Sequence, residues 1–170
     1  MARVDPAPMP PEPPRMDSPA AAEHALLWGF DAAFVQSARS ITCVSPQFAA
    51  WPLDDARLLA ELGRWLRLPQ RRLLLLAADF TTLGRRFPRF EQWRRDWVHA
   101  VPAWCCPQEL AQGLPEALFD DAAVSVRVFD AETGRGRASL DRRLRLLLAQ
   151  QTDVVLQRSE ASWPVKALGL

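Results

Sequence analysis

The sequence is organised around Arg71–Phe80 (RRLLLLAADF), where six apolar residues run without a polar interruption between a pair of arginines and an aspartate. A continuous apolar run of this length, in place of an alternating one, is typical of a strand that is buried on both faces of a sheet. The segment therefore predicts the central strand of an α/β domain. The neighbouring segments are expected to cover it.

Those neighbouring segments alternate between helical and strand patterns. Apolar residues recur at helical spacing in residues 20–39, residues 40–45 are β-branched, and Asp54-Asp55 begin a second helix. After the central strand, Pro88 begins a third helix and residues 103–106 form a strand. Residues 117–140 predict strands joined by a turn, and Asp141 begins the last helix. This order predicts an α/β fold, a three-layer α/β/α sandwich with a mixed, mostly parallel sheet.

Composition narrows the classes of function. Hydrophobic residues make up 49% and charged residues 24% of the chain, which is ordinary globular usage. No apolar run approaches the roughly 20 residues that cross a bilayer, so membrane insertion is not expected. A net charge of +1 provides no general attraction for nucleic acid. Three cysteines, two of them adjacent at Cys105 and Cys106, make a poor disulfide framework and favour a reducing, cytoplasmic location.

The first 19 residues differ from the rest of the chain. They contain seven of its 15 prolines and almost no large apolar side chains. Such a segment buries too little surface to offset the entropy lost on ordering, so residues 1–19 are predicted to be a disordered, proline-rich tail. Residues 20–170 are predicted to form a single α/β domain.

The order of elements resembles one half of a phospholipase D-like domain. Ser40–Pro46 (SITCVSP) resembles the first strand of that superfamily and Arg72–Leu76 (RLLLL) its second. Leu114–Asp121 (LPEALFDD), followed by Val124–Val126 (VSV), is similar to its motif strand and hairpin. The resemblance is stronger to uncharacterised bacterial members that lack the catalytic signature. It implies that residues 41–44 lie beside the central strand and that residues 119–128 belong to the same sheet.

The catalytic signature of the active family is absent. Active members use His-x-Lys-x4-Asp, in which histidine is the nucleophile and lysine neutralises phosphate oxygens. With Asp120 or Asp121 as the motif aspartate, the histidine position holds glycine or leucine and the lysine position holds Pro115 or Glu116. His24 and His99 are isolated from each other and from any such motif. Phospholipase or nuclease chemistry by this route is therefore not expected.

Two features remain as candidate contacts for a ligand or partner. Asp79 ends the central strand, where open α/β sheets place ligand-binding residues, although capping of the next turn is favoured because no second acid or histidine at a recognisable spacing accompanies it. A cluster of basic residues beside aromatic ones could bind phosphate or stack on bases, but helical spacing places its aromatics on the core face and its arginines in solvent. The members of this cluster are Arg85, Arg86, Arg89, Arg94 and Arg95.

These observations favour a non-enzymatic interaction or accessory module, with a protein partner or a second copy of the chain as its ligand. Binding of phosphate or nucleic acid through the Arg85–Arg95 cluster is the alternative. A hydrolase with a relocated site near Asp79 ranks third, since nothing nearby supplies a nucleophile and a base together. Neither a cofactor nor a metal ion is expected, because the chain has no nucleotide-binding glycine motif and no cysteine or histidine pair at ligand spacing.

Overall fold

The computed structural model describes residues 8–164, which form an α/β fold around a seven-stranded mixed sheet. No helix in this described part of the chain combines the length and the apolar character needed to span a bilayer. The helices are α1 (Pro19–Val35), α2 (Ala56–Leu66), α3 (Leu83–Arg86), α4 (Pro88–Asp96) and α5 (Arg142–Leu156), with a 3-10 turn at Gln108–Gly113. The strands are β1 (Ser40–Val44), β2 (Arg72–Ala77), β3 (Ala103–Cys105), β4 (Glu116–Asp120), β5 (Ser125–Asp130), β6 (Arg135–Ser139) and β7 (Glu160–Ala161).

The strand order is β6-β5-β4-β1-β2-β3-β7. Strand β2, from the apolar run, lies between β1 and β3 and is parallel to both. Thr42 of β1 stands opposite Leu74 of β2, and the hairpin strands β4 and β5 continue the same sheet beyond β1. The expected neighbours of the central strand are thus confirmed. The α/β class is confirmed with them.

The prediction of a mostly parallel sheet is wrong, since four of the six pairings between the described strands are antiparallel. The reason lies in the connections. Short turns join β4 to β5 and β5 to β6, and a short turn can join only antiparallel strands. The first of these three strands, β4, pairs with β1 in the antiparallel direction. At the other edge of the sheet, β7 follows α5 and pairs antiparallel with β3.

Local signals explain where the helices begin. Ser18 caps α1, its Oγ accepting from the Ala21 amide at 3.1 Å, and a proline follows it at the first helical position. Asp55 caps α2 through the Leu58 amide at 2.8 Å. Asp141 caps α5, and its side chain accepts from the Arg143 amide. The predicted helix starts at Asp54-Asp55, Pro88 and Asp141 are therefore confirmed.

Successive side chains of a strand point to opposite faces of the sheet, and two separate clusters of buried residues form on these faces. The inner face, which contains Ile41, Leu75 and Leu118, packs against α1, α2 and α4. The outer face, which contains Val44, Leu76 and Phe119, packs against a smaller set that includes Leu148 of α5. The inner cluster has 33 buried members and the outer cluster seven, so the inner face holds most of the core.

The N-terminal segment before α1 contacts the domain at Pro11 and Met16, and residues 1–7 lie outside the described residues. Met16 is buried in the inner cluster, and the Trp28 indole donates to the Pro11 carbonyl at 2.9 Å. The backbone of Ser18 passes so close to Gly134, a residue with φ of +72°, that a β-carbon there would meet the Ser18 carbonyl oxygen at 2.1 Å. The composition of residues 1–19 did not indicate these contacts, because one apolar side chain, Met16, anchors an otherwise polar and proline-rich segment.

Candidate functional site

Asp79 follows β2 at the carboxyl end of the parallel strands, as predicted, and its side chain is used locally. Its Oδ1 accepts a hydrogen bond from the Thr81 amide at 2.8 Å, so it caps the turn after the strand. The same hydrogen bond lowers the pKa of Asp79, because it stabilises the ionised form. A carboxylate held in this way is a weak base. This geometry agrees with the capping interpretation of Asp79.

The arginine cluster does not form one solvated face, because Arg94 is buried. Only 4% of its surface is exposed, its Nε donates to the Val101 carbonyl at 3.0 Å and its Nη1 to the Trp163 carbonyl at 2.7 Å. Its guanidinium also lies 4.6 Å from the centre of the Trp163 ring. Burial lowers its pKa. The expectation that Arg94 faces solvent is therefore wrong, and this residue holds the segment at Trp163 against α4.

The other four arginines of the cluster are exposed. Arg86 is partly engaged, since its Nη1 donates to the Gln47 carbonyl at 3.0 Å. Arg85, Arg89 and Arg95 project from α3 and α4 without an ion pair among the described residues. The aromatic residues beside them pack inward, with Phe90 fully buried. Arginines on this surface consequently lack an exposed aromatic platform of the kind that single-stranded nucleic acid requires.

The adjacent thiols point to opposite faces, as predicted for a strand. Cys105 packs against the inner cluster, while Cys106 is buried in the outer one. Both are free, and burial raises the pKa of each thiol. Residues 8–164 contain no group of three or more His, Cys, Asp or Glu side chains that could hold a metal ion.

A surface that sequence reasoning missed lies on the outer face, where α5 crosses β5 and β6. A groove of about 200 Å³ runs between the helix and the two strands. We call it the α5 groove, and its lining includes Arg127, Phe129, Arg137, Leu144, Leu147 and Gln151. Phe129 is 65% exposed and Leu147 57% exposed. Val154, one heptad beyond Leu147 on the same helix face, is 66% exposed.

Two of the large apolar side chains that are exposed in residues 8–164, Phe129 and Leu147, line this groove. Seven large hydrophobic residues are exposed in the described chain, and four of them lie on α5 or β5. These four are Phe129, Leu146, Leu147 and Val154. Single exposed apolar residues are normal, whereas exposed apolar residues that share one groove, as Phe129 and Leu147 do, are a feature of interaction surfaces.

The charges along the α5 groove are all of one sign. Arg127 and Arg137 are direct neighbours across the antiparallel β5–β6 pair. The Arg127 guanidinium lies 5.6 Å from the Phe129 ring centre, and its Nη1 donates to Oε1 of the neutral Gln151 side chain at 3.4 Å. Neither arginine forms an ion pair with an acid among the described residues. Like charges directly opposite each other in a sheet are destabilising, so the fold by itself gives no reason for this pair.

Two sequence signals pointed towards these features. Arg94 lies four residues after Phe90 and three before Trp97, which places it on the helix stripe that faces the core. Leu147 and Val154 extend the apolar surface of α5 beyond what the outer face buries. The pairing of Arg127 with Arg137 had no such signal, because it depends on the register of β5 and β6. That register shifts at Val128/Asp130.

Comparisons of the chain with protein-family models, curated proteins and solved structures gave no match.

Proposed function

We propose that the chain is a non-catalytic interaction or accessory module, built on a phospholipase D-like half-domain with a three-layer α/β/α arrangement. The support for the fold is the order of its elements, with two parallel βα units followed by a hairpin and a closing helix. The support for a non-catalytic role is that leucine or glycine replaces the motif histidine, and proline or glutamate the motif lysine. The three free thiols suit a reducing, cytoplasmic location.

The observation that carries this proposal is the α5 groove. The exposed side chains of Phe129 and Leu147 form an apolar surface along the groove. Apolar side chains that become buried against a partner contribute about 25 cal/mol for each Å² removed from water. Aromatic residues and arginine are enriched at the energetic centres of protein interfaces. The groove has both kinds of side chain side by side.

The charge of the groove specifies the partner. Arg127 and Arg137 stand opposite each other without an acid between them, and a carboxylate bound across both would remove their repulsion. The partner is therefore a segment of another protein that carries acidic residues next to apolar anchors. A nucleic-acid backbone would make no apolar contact with the surface formed by Leu144, Leu147 and Val154.

A second copy of the chain is the less suitable occupant. In a twofold-symmetric contact the same patch meets itself, so the arginines of both copies would lie near the axis. Like charges brought together at an interface destabilise it by several kcal/mol. Self-association through another surface remains compatible with the groove binding a different protein.

The experiment is a selection from a random peptide library displayed on phage, using the full chain as bait. The Leu147→Asp variant serves as counter-selection bait, and Leu68→Asp is the matched control, since Leu68 is 47% exposed on a different surface. We expect enriched peptides to combine acidic and large apolar residues, and to bind the Leu68→Asp protein but not the Leu147→Asp protein. Enrichment of basic peptides, or no enrichment that depends on Leu147, would contradict the proposal.

Light scattering after size-exclusion chromatography separates the two occupants. We expect a monomer, or a dimer that the Leu147→Asp substitution leaves intact. A dimer that dissociates with Leu147→Asp but persists with Leu68→Asp would instead show that a second copy of the chain occupies the groove.

The two alternatives from the sequence stay as predictions. Binding of phosphate or nucleic acid through the Arg85–Arg95 cluster predicts low-salt affinity for a single-stranded oligonucleotide that falls when Arg85, Arg86 and Arg89 become alanine. Affinity that is unchanged by these substitutions, or absent, removes this alternative. A hydrolase near Asp79 predicts an activity that Asp79→Asn abolishes. The hydrogen bond from Thr81 to Asp79 disfavours it, since that bond lowers the basicity of the carboxylate.

A further inference from the structure

A second, smaller cavity lies on the opposite side of the sheet, at the carboxyl end of β1. It measures about 70 Å³ and sits between the first turns of α1, the loop that joins β1 to α2, and the beginning of β4. Buried Ala22, Leu26 and Val128 form its base, and exposed Ala49 and Ala131 form its rim. The cavity is therefore mostly apolar and open to solvent at one side.

Glu116, the first residue of β4, is the one charged side chain that lines this cavity. Its Oε1 accepts a hydrogen bond from the Ser45 hydroxyl at 2.7 Å and another from the Trp51 indole. Ser45 Oγ in turn accepts from the Phe48 amide at 2.8 Å, which fixes the donor. Both described bonds end on Oε1, and Oε2 is not among the polar atoms that are closed off from solvent. One oxygen is thus held by the protein and the other is open.

The carboxylate also lacks a counter-charge. No ion pair within residues 8–164 involves Glu116, and no basic side chain contributes to the shift of its pKa. Burial raises this pKa, although the hydrogen bonds from Ser45 and Trp51 oppose the change. Glu116 is partly buried, and a carboxylate that is withdrawn from water is normally paired with a cation or else held neutral. The two donors on Oε1 offset this effect of burial only in part, and a cation that reached the open Oε2 would stabilise the ionised form further.

The size and lining of the cavity limit what that cation can be. A volume of about 70 Å³ holds a few non-hydrogen atoms, fewer than the benzene ring that fills a cavity of about 150 Å³. Alanine, leucine and valine side chains favour an alkyl group over a hydrated metal ion. A single open carboxylate oxygen suits an ammonium group, which has three N–H donors and needs no fork of acceptors.

We propose that this cavity binds a small primary alkylammonium group, which donates to Oε2 of Glu116 while its alkyl part lies against Ala22, Leu26 and Val128. The site is separate from the α5 groove, which lies on the other face of the sheet. It goes beyond the interaction role, and its test does not depend on that role.

The test follows the indole N–H signals of the full chain by NMR during a titration with n-propylammonium chloride. The Trp51 indole reports on the site because it donates to Glu116, and its signal is identified with Trp51→Phe. The Trp65 indole is the internal reference, since it donates to the Ala38 carbonyl at 2.7 Å in the core. Sodium chloride is the control for ionic strength. n-Propanol, which has the same alkyl chain without the charge, is the control for apolar binding.

We expect n-propylammonium to shift the Trp51 signal with a millimolar midpoint, as befits a ligand of about four non-hydrogen atoms, and to leave the Trp65 signal in place. Glu116→Gln keeps an oxygen for Ser45 and Trp51 but removes the charge, and should weaken binding by about tenfold or more. Ala22→Leu fills the cavity and should abolish binding with Glu116 intact. The proposal is overturned if n-propanol or sodium chloride gives the same shift, if no shift occurs, or if either variant binds as the natural chain does.

Discussion

The two faces of the sheet differ in how completely they are covered. On the inner face Phe30, Phe48 and Phe90 have no exposed surface, and α1 approaches closely enough that a β-carbon on Gly29 would lie 2.9 Å from Leu118 and Val126 side-chain atoms. On the outer face α5 leaves Leu147 and Val154 more than half exposed. The difference separates two uses of apolar residues. Those of the inner face hold the fold together, and those around the α5 groove are available to another molecule.

Truncation of an inner-face residue should have the largest effect. Phe30→Ala removes a fully buried ring and leaves a cavity, so we expect the free energy of unfolding to fall by about 3–5 kcal/mol. Leu147→Ala should change it by no more than about 0.5 kcal/mol, because Leu147 is exposed. Urea denaturation of both variants measures the contrast. Equal losses would mean that α5 and its groove belong to the core.

Arg94 sharpens the comparison, since it is a charged residue with an inner-face role. Arg94→Met leaves the Val101 and Trp163 carbonyls without their donor, and we expect a loss of about 2–3 kcal/mol in the free energy of unfolding. Arg95→Met, its exposed neighbour, is the matched control and should cost less than about 0.5 kcal/mol. If both variants unfold at the same denaturant concentration, the buried position assigned to Arg94 is incorrect.

The pH dependence of stability tests the ionisation of Glu116, which lies on the inner side of the sheet. Burial raises its pKa in the folded state, so ionisation costs stability. The contribution of the protonated Glu116 side chain to the free energy of unfolding is fully present below the pKa of the unfolded state. It is lost as the pH rises through the pKa of the folded state. Glutamine does not ionise, so the free energy of unfolding of Glu116→Gln relative to that of the natural chain should increase from about pH 4 to about pH 8. Buried Asp120, whose pKa is also raised, cancels in this difference.

Denaturation across this pH range checks the sign. A relative stability that is flat, or that falls with pH, would show that Glu116 is compensated in the folded chain.

The smallest effect on stability is expected at the groove itself. Arg137→Ala removes a like charge opposite Arg127 and should leave the free energy of unfolding unchanged or raise it by about 0.2–0.5 kcal/mol. Arg135→Ala, on the same strand, removes the positive charge opposite Asp130 in the β5–β6 register and should be neutral or slightly destabilising. Thermal unfolding of the two variants compares them. Clear destabilisation by Arg137→Ala would mean that the arginine pair supports the fold, and that no acidic partner is needed to explain it.

Sequence reasoning recovered the features that depend on local chemistry. Asp55, Pro88 and Asp141 marked helix starts correctly because capping involves residues within one turn, and the apolar run at residues 73–78 identified the central strand. The direction of pairing was harder, because the antiparallel addition of β4 to β1 is a contact between distant parts of the chain.

The candidate sites were mostly beyond sequence reasoning for the same reason. Glu116 was identified only as a position where a catalytic lysine is absent, and its contact with Ser45 joins residues 71 positions apart. Arg127 and Arg137 become neighbours only through the register of a bulged hairpin. Arg94 was misplaced although its helical spacing from Phe90 indicated the core.

The most direct test of the central claim is the affinity of one acidic, apolar peptide from the selection for four forms of the chain, measured by fluorescence anisotropy at low and moderate salt. We predict that Leu68→Asp binds as the natural chain does, and that Leu147→Asp binds at least about tenfold more weakly. Arg137→Ala should bind more weakly and with a smaller dependence on salt. Equal affinity of all four forms would contradict the assignment of the α5 groove as the interaction site.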